Sequence, residues 1–345
     1  MKYLIFIIFL ISVDSCISHE KLRVNEKGTT FTEFPESDTL RFSPIFNGVL
    51  GKLRYILKHR DYLILSKINY EKSKWIVIYS LKEKCIIKEL INYGRGPDEM
   101  LSCSIGKFDD KIWLQDKIKS EIFIIPLDSF MLDGLSNTKK HKVNMWSYST
   151  ALVNDSIMLG TNTFINAYKI SYSNLENGNN WGKGSYSALS QNIPLGSLID
   201  ACSCYINVQP NSGKIALSYR YTDLLEIYDI NGNLIHAIHG PNNFDVEFNA
   251  VSKNGHDIMA KNRRTIKAFV SSFVTNEHIY LLFSGRKRNE AEWPYGRNIF
   301  VYSWDGEPQK SLYIDFPIYS FCVDNSEQIV YSYSMTTGEL IKAKL

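Results

Sequence analysis

The segment richest in possible chemistry is GRKRNEAEWPYGR at residues 285–297, which sets Arg286 and Arg288 close to Trp293 and Tyr295. Guanidinium groups present a planar fork of donors that fits a carboxylate or phosphate, and Trp and Tyr add flat apolar faces with a polar handle. The same residue types recur at Arg220 and Tyr221, at Arg263 and Arg264, and at Arg95 within NYGRGPDEM (residues 92–100). These nine residues form the candidate binding set, and their chemistry suits an acidic or sugar-like ligand. Catalysis is less legible. Glycoside hydrolysis needs two carboxyl groups about 5 to 9.5 Å apart, and nothing in the spacing of Asp98, Glu99, Asp116 and Asp200 singles out a pair. No catalytic residue is assigned. GRGPDE (residues 94–99) lacks the Lys-Ser/Thr ending of a phosphate loop, so its glycines read as a tight turn and Glu99 as a backbone acceptor. His236 and His239 lie three apart on an expected strand and face opposite sides, and Cys202 and Cys204 have no second Cys/His pair to complete a metal site. No metal or cofactor is expected.

Something must hold these residues in place. The chain has 345 residues, 44% hydrophobic and 13% aromatic, enough for a large core and weighted toward strand formers. From residue 39 onward it is a succession of short β patterns separated by Asn, Asp, Gly and Pro, with no long amphipathic helix. One template recurs: an apolar run ending in an aromatic, then a turn. DLLEIYDINGN (223–233) and NIFVYSWDGE (298–307) show it best, with weaker copies at 74–84 and 121–128. Each reads as the third strand of a unit entering a hairpin, because Asn-Gly and Asp-Gly supply the positive φ of tight turns. Pro44, Pro97, Pro194, Pro241 and Pro317 recur at roughly one unit's length, with one double interval and one insertion. The expected fold is all-β: a six-bladed β-propeller of four-stranded antiparallel blades over residues 39–345. The last blade has three strands of its own, and the N-terminal residues 39–46 supply the fourth, which closes the ring. In such a meander the loops between second and third strands emerge on the same face as the joins between blades. That face would collect Arg95, Asp98, Glu99, Asn162, Asn166 and the candidate binding set. Tyr205, Tyr219, Tyr221 and Tyr228 alternate with apolar residues and read first as packing.

The N-terminus reads as an address. Lys2 precedes an apolar run at residues 3–13, too short to span a bilayer, which needs about 20 residues, but suited to a signal peptide. Val13-Asp14-Ser15-Cys16 resembles a lipobox, although Asp14 departs from it. The expected division is a lipoprotein signal at 1–15, lipidation of Cys16, and a polar tether at 16–38. The remaining five cysteines show no disulfide framework and read mainly as buried thiols. A net charge of +3 without a polybasic run gives no reason to expect nucleic acid.

Three stretches carry a family resemblance. NYGRGPDEM (92–100) is similar to the G-x-G-P-x-E join of NHL-type propellers, and GKFDDKIWLQD (106–116) to the two inner strands that follow it. PIYSFCVDNSEQIVYSYS (317–334) resembles the last blade of TolB-like six-bladed propeller lipoproteins. The resemblance implies the fold and a bacterial cell-envelope location, as an outer-membrane lipoprotein facing the periplasm or the cell surface. It implies no activity. Taken together, the expectation is a lipid-anchored, non-catalytic binding module for a glycan or another small or acidic ligand. The alternatives are a protein-interaction scaffold in an envelope complex, or a glycan hydrolase or lyase acting in the central funnel.

Overall fold

A computed structural model describes residues 17–345 except 47, 49, 69–72, 137, 164–166, 187–191, 254 and 327. Cys16, the signal segment and Asn166 lie outside the described residues. The recurring turns return each apolar run antiparallel on its predecessor, and five consecutive meanders result. Blade 1 comprises Leu53–His59, Tyr62–Lys67, Ile76–Ser80 and Cys85–Leu90. Blade 2 comprises Ser104–Phe108, Lys111–Asp116, Glu121–Pro126 and Lys140–Lys142. Blade 3 is built from Thr150–Leu152, Ile157–Gly160, Tyr168–Asn174 and Asn180–Ser185, and blade 4 from Cys204–Val208, Ile215–Tyr219, Leu224–Tyr228 and Leu234–His239. Blade 5 contains Ile266–Val274, His278–Lys287 and Gly296–Ser303. Its outer strand is the first part of Pro308–Asp324, a strand of 17 residues that continues as the inner strand of blade 6. All four segments that share the recurring template are third strands, as their sequences indicate.

Blade 6 adds Ile329–Ser334 and Leu340–Lys344. Its fourth strand comes from the N-terminus: Ser43–Phe46 pairs antiparallel with Leu340–Lys344, in the register Ser43↔Lys342. The ring therefore closes as expected, and six blades are complete. Second and third strands are mostly buried, for example Ile215–Tyr219, Ile76–Ser80 and Leu224–Tyr228, because neighbouring blades cover both of their faces, whereas the inner strands are only partly buried where they line the centre.

The stretch read as a tether is not one. Ile17–Leu22 pairs antiparallel with Val246–Lys253, which with His256–Ala260 forms an accessory three-stranded sheet in the join between blades 4 and 5. Leu22 and Val24 are buried in the core shared by blades 3 and 4. Asn25 donates to Glu226 from its Nδ2 at 2.7 Å, and its carbonyl meets His239 Nε2 at 3.0 Å. Thr29–Thr30 then pairs parallel with the outer strand of blade 4, and Glu36–Leu40 parallel with that of blade 5. Residues 17–46 thus strap three successive blades. The sequence conceals this because the strap lies on sheet edges, where few side chains are buried and the chain stays polar.

The five described cysteines are unpaired: four are buried and Cys85 is exposed. Cys202 caps the helix Leu195–Ala201, so only Cys204 of the C-x-C pair is in the strand. Among the described residues no helix is long and apolar enough to cross a membrane.

Candidate functional site

The inner strands of all six blades line one central funnel of about 470 Å³. Each of these strands begins at the face that carries the joins, so residues near their starts meet at one mouth. Arg54 and Tyr55 come from blade 1, Tyr148 from the residues leading into blade 3, Tyr205 from blade 4 and Tyr319 from blade 6. The turns between second and third strands reach the same mouth and add Lys117 from blade 2 and Arg220 with Tyr221 from blade 4.

Arg220 is the hub. Its guanidinium carbon lies 4.2 Å from the Tyr148 ring centroid and 5.1 Å from that of Tyr221, and Nη1 reaches Ser203 Oγ at 3.4 Å. Arg220 Nε is buried without an acceptor. Lys261 and Lys267 approach the Tyr221 ring at 5.7 and 5.2 Å, and Lys267 also lies 5.8 Å from the Trp293 ring. Arg288 covers Trp293 at 4.9 Å, while the indole Nε1 is buried with no partner. Lys117 donates to the carbonyls of Ser147 and Tyr148 at 2.8 and 2.7 Å.

Six cations, Arg54, Lys117, Arg220, Lys261, Lys267 and Arg288, therefore gather around tyrosines and a tryptophan. Among the described residues none of the six has a carboxylate within 4.0 Å. Asp200 is the acid whose field reaches Lys261 and Arg220, and its carboxyl is held above the usual range by burial. The electrostatic strain registers on the amines. Burial, then Arg220 and Lys261, hold the Lys267 ammonium well below its ordinary pKa, and burial with Arg54 brings Lys117 down to about 7. A site with this excess of positive charge over stacking surfaces is disposed to take up an anion.

The candidate set divides accordingly. Arg220, Tyr221, Arg288 and Trp293 come together at the mouth, and Tyr295 joins through Tyr319, with ring centroids 6.4 Å apart. The blade 5 loop and the join before it also meet, since Arg288 N donates to Thr265 O at 2.9 Å. Both flanking strands run further than the sequence indicates, so that loop is only residues 288–295. Arg286 is turned aside to Glu292 at 3.4 Å, which Arg297 also binds. Arg264 faces the accessory sheet, 3.8 Å from Glu247, and Arg263 beside it is exposed. Arg95 is exposed on the first join, where no described interaction ties it to the mouth.

Of the four acids weighed, Asp116, Glu99 and Asp200 accept from backbone N–H groups, and Asp98 is exposed. Asp116 is buried and accepts from Leu101 N, Ser102 Oγ, Ile118 N and Lys119 N at 2.6 to 3.1 Å. Glu99 accepts from Gly96 N at 2.8 Å and lies over Gly94, where a Cβ would come within 2.0 Å of its Oε2. Asn162 is likewise structural, joining Ile199 O to Cys204 N. Tyr219 and Tyr228 donate to Glu226, as packing residues, whereas Tyr205 opens onto the funnel.

A solved structure and a family model agree with this architecture. A member of the DUF4221 family from Bacteroides vulgatus is similar with a TM-score of 0.55 at 12% identity, over 90% of this chain and 97% of that one; the likeness is one of fold alone. The β-propeller domain of Myceliophteria thermophila Cps50 (Swd1) scores 0.49 at 9% identity, over 88% of this chain and 100% of that one. No curated protein matches the sequence. The model of the TolB-like 6-blade propeller-like family matches residues 33–326, spanning the later part of the strap, the first five blades and the inner strand of the sixth, and the chain belongs to that family.

Proposed function

We propose that this propeller is a lipid-anchored, non-catalytic binding module that captures an anionic ligand, an acidic glycan or another small acid, at the mouth of its funnel. The observation that carries the reading is the group of six cations without carboxylate partners, set among aromatic rings. Their mutual repulsion is relieved by a bound anion, and Tyr148, Tyr205, Tyr319 and Trp293 offer surfaces for the ligand's apolar parts.

Calorimetric titration with acidic oligosaccharides, and with neutral ones as control, tests this. Arg220→Ala is expected to weaken binding about tenfold or more, the loss of a charged hydrogen bond. Added salt should weaken binding at the exposed Arg288, while the stacking lost in Trp293→Ala should show little salt dependence. Affinity for the acidic ligand that survives both variants would place the site elsewhere. The anchor has its own test. Cys16→Ala is expected to move the protein from the membrane to the soluble fraction, and an unchanged membrane fraction without lipid on the N-terminal peptide would refute it.

A further inference from the structure

We propose that the face carrying the joins and the funnel mouth is the membrane-facing side of the propeller, docked on an anionic bilayer that holds the chain's own lipid. The inference rests on lipidation at Cys16 and adds an orientation that lipidation alone does not give. Cys16 directly precedes Ile17, which is already in register with Val251. One residue spans about 3.8 Å, so the acyl chains must leave from the edge of the accessory sheet. That sheet lies on the join face. It emerges between blades 4 and 5 and rests on the helix Leu195–Ala201 in the join before blade 4, where Ser197 Oγ donates to Ile258 O at 2.9 Å and Met259 N to Asp200 at 3.3 Å.

The same face displays apolar side chains that the core does not use. Ile118 in the turn at the end of blade 2's second strand is 66% exposed, Trp146 in the next join 51%, Leu195 44%, and Ile258 on the accessory hairpin 39%. Of the other large hydrophobics described as exposed, only Leu132 lies at a connection on the opposite face; the rest are on third or outer strands. Exposed Lys261, Arg263, Arg264 and Arg288 stand among the apolar residues of the join face. Basic side chains, a tryptophan and scattered aliphatics beside a lipid attachment point are what an anionic headgroup layer accommodates. In this pose the funnel mouth opens toward the bilayer, so its ligand is taken up at the membrane surface.

The test uses the full, lipidated chain in vesicles of phosphatidylcholine and phosphatidylglycerol that carry a nitroxide on a fraction of the headgroups. A fluorophore is placed at Leu195→Cys, Ile258→Cys or Leu132→Cys in a Cys85→Ser background, because the other described thiols are buried. Emission is expected to be quenched at the labels on residues 195 and 258 and to be retained on residue 132. Lipid confirmed on the N-terminal peptide by mass, with equal quenching at all three sites or stronger quenching at 132, overturns the orientation. A peptide without lipid refutes the anchor and the orientation with it, while leaving anion binding at the mouth to its own titration.

Discussion

Lys267 is 5% exposed, wedged between Tyr221 and Trp293, with Arg220 and Lys261 as neighbours. A buried ammonium among like charges is tolerated only at a cost to stability, so its presence points to function. Lys267→Met is expected to raise Tm while weakening anion binding; a variant that binds as before and melts lower would contradict both the site and its strain. The sign of the pH effect follows. The folded pKa of Lys267 lies below its unfolded value, so its destabilising effect fades as pH rises from the one toward the other. Lys117 titrates in a functional range: its ammonium is lost as pH rises through about 7, and affinity for an anion should weaken over that interval. Titrations at several pH values check this, and Lys117→Gln should flatten the profile. The sequence revealed Arg220, Tyr221, Arg288 and Trp293 because they sit in loops flanked by clear strands. Arg54, Lys267 and Tyr205 were hidden in strands, and Lys117 and Lys261 beside strand ends. Alternation assigns a strand residue to one side of its blade but does not say where along the strand the funnel's mouth lies.

Between blades 3 and 4, Lys169 and Glu226 form an ion pair at 2.6 Å, with side chains 5% and 0% exposed. Burial opposes ionisation of Glu226, but Lys169 and the hydroxyls of Tyr219 and Tyr228 outweigh it and hold the carboxyl below its ordinary value of 4.5. The stability this lowered pKa contributes is fully present above about 4.5 and is lost as pH falls through the folded value. Removing one partner, as in Lys169→Met, is expected to cost about 3–5 kcal/mol in denaturant unfolding, and Lys169→Met with Glu226→Leu should cost less than either single change. Asn25 from the strap completes the carboxylate's set of donors, so the strap belongs to this unit. Leu22→Ala should cost about 2–5 kcal/mol, as for a buried leucine. Removal of residues 17–37 should lower Tm clearly; an unchanged Tm would restore the tether reading. Central strands were legible because both faces are covered and the chain is apolar over whole runs such as Ile76–Ser80. The strap was not, since Glu36–Leu40 buries one side chain in five.

At the scale of the molecule, the six-bladed count and the closing strand followed from the one missing strand in the last unit. The accessory sheet did not, because its strands read as an ordinary long join. Closure makes the blades interdependent, and Pro308–Asp324 leaves no hinge between the last two. Unfolding is expected to be a single calorimetric transition, and deletion of Ser43–Phe46 should lower its midpoint by exposing the edge at Leu340–Lys344. Two separated transitions in the intact chain would contradict that coupling. The strap also sets an order of events in time. Whether from a ribosome or an export channel, a polypeptide emerges N-terminus first, yet the partners of residues 17–46 lie at Val246–Lys253, Leu234–His239, Pro308–Asp324 and Leu340–Lys344. Each part of the strap must therefore wait, unpaired, for a partner made much later: Ile17–Leu22 and Thr29–Thr30 for blade 4 and the join after it, Glu36–Leu40 for blade 5, and Ser43–Phe46 for Leu340–Lys344. Blades 1 to 3 can assemble on the nascent chain, but the ring locks only once Leu340–Lys344 is released, so a product truncated before it would keep part of the strap open to chaperones and proteases.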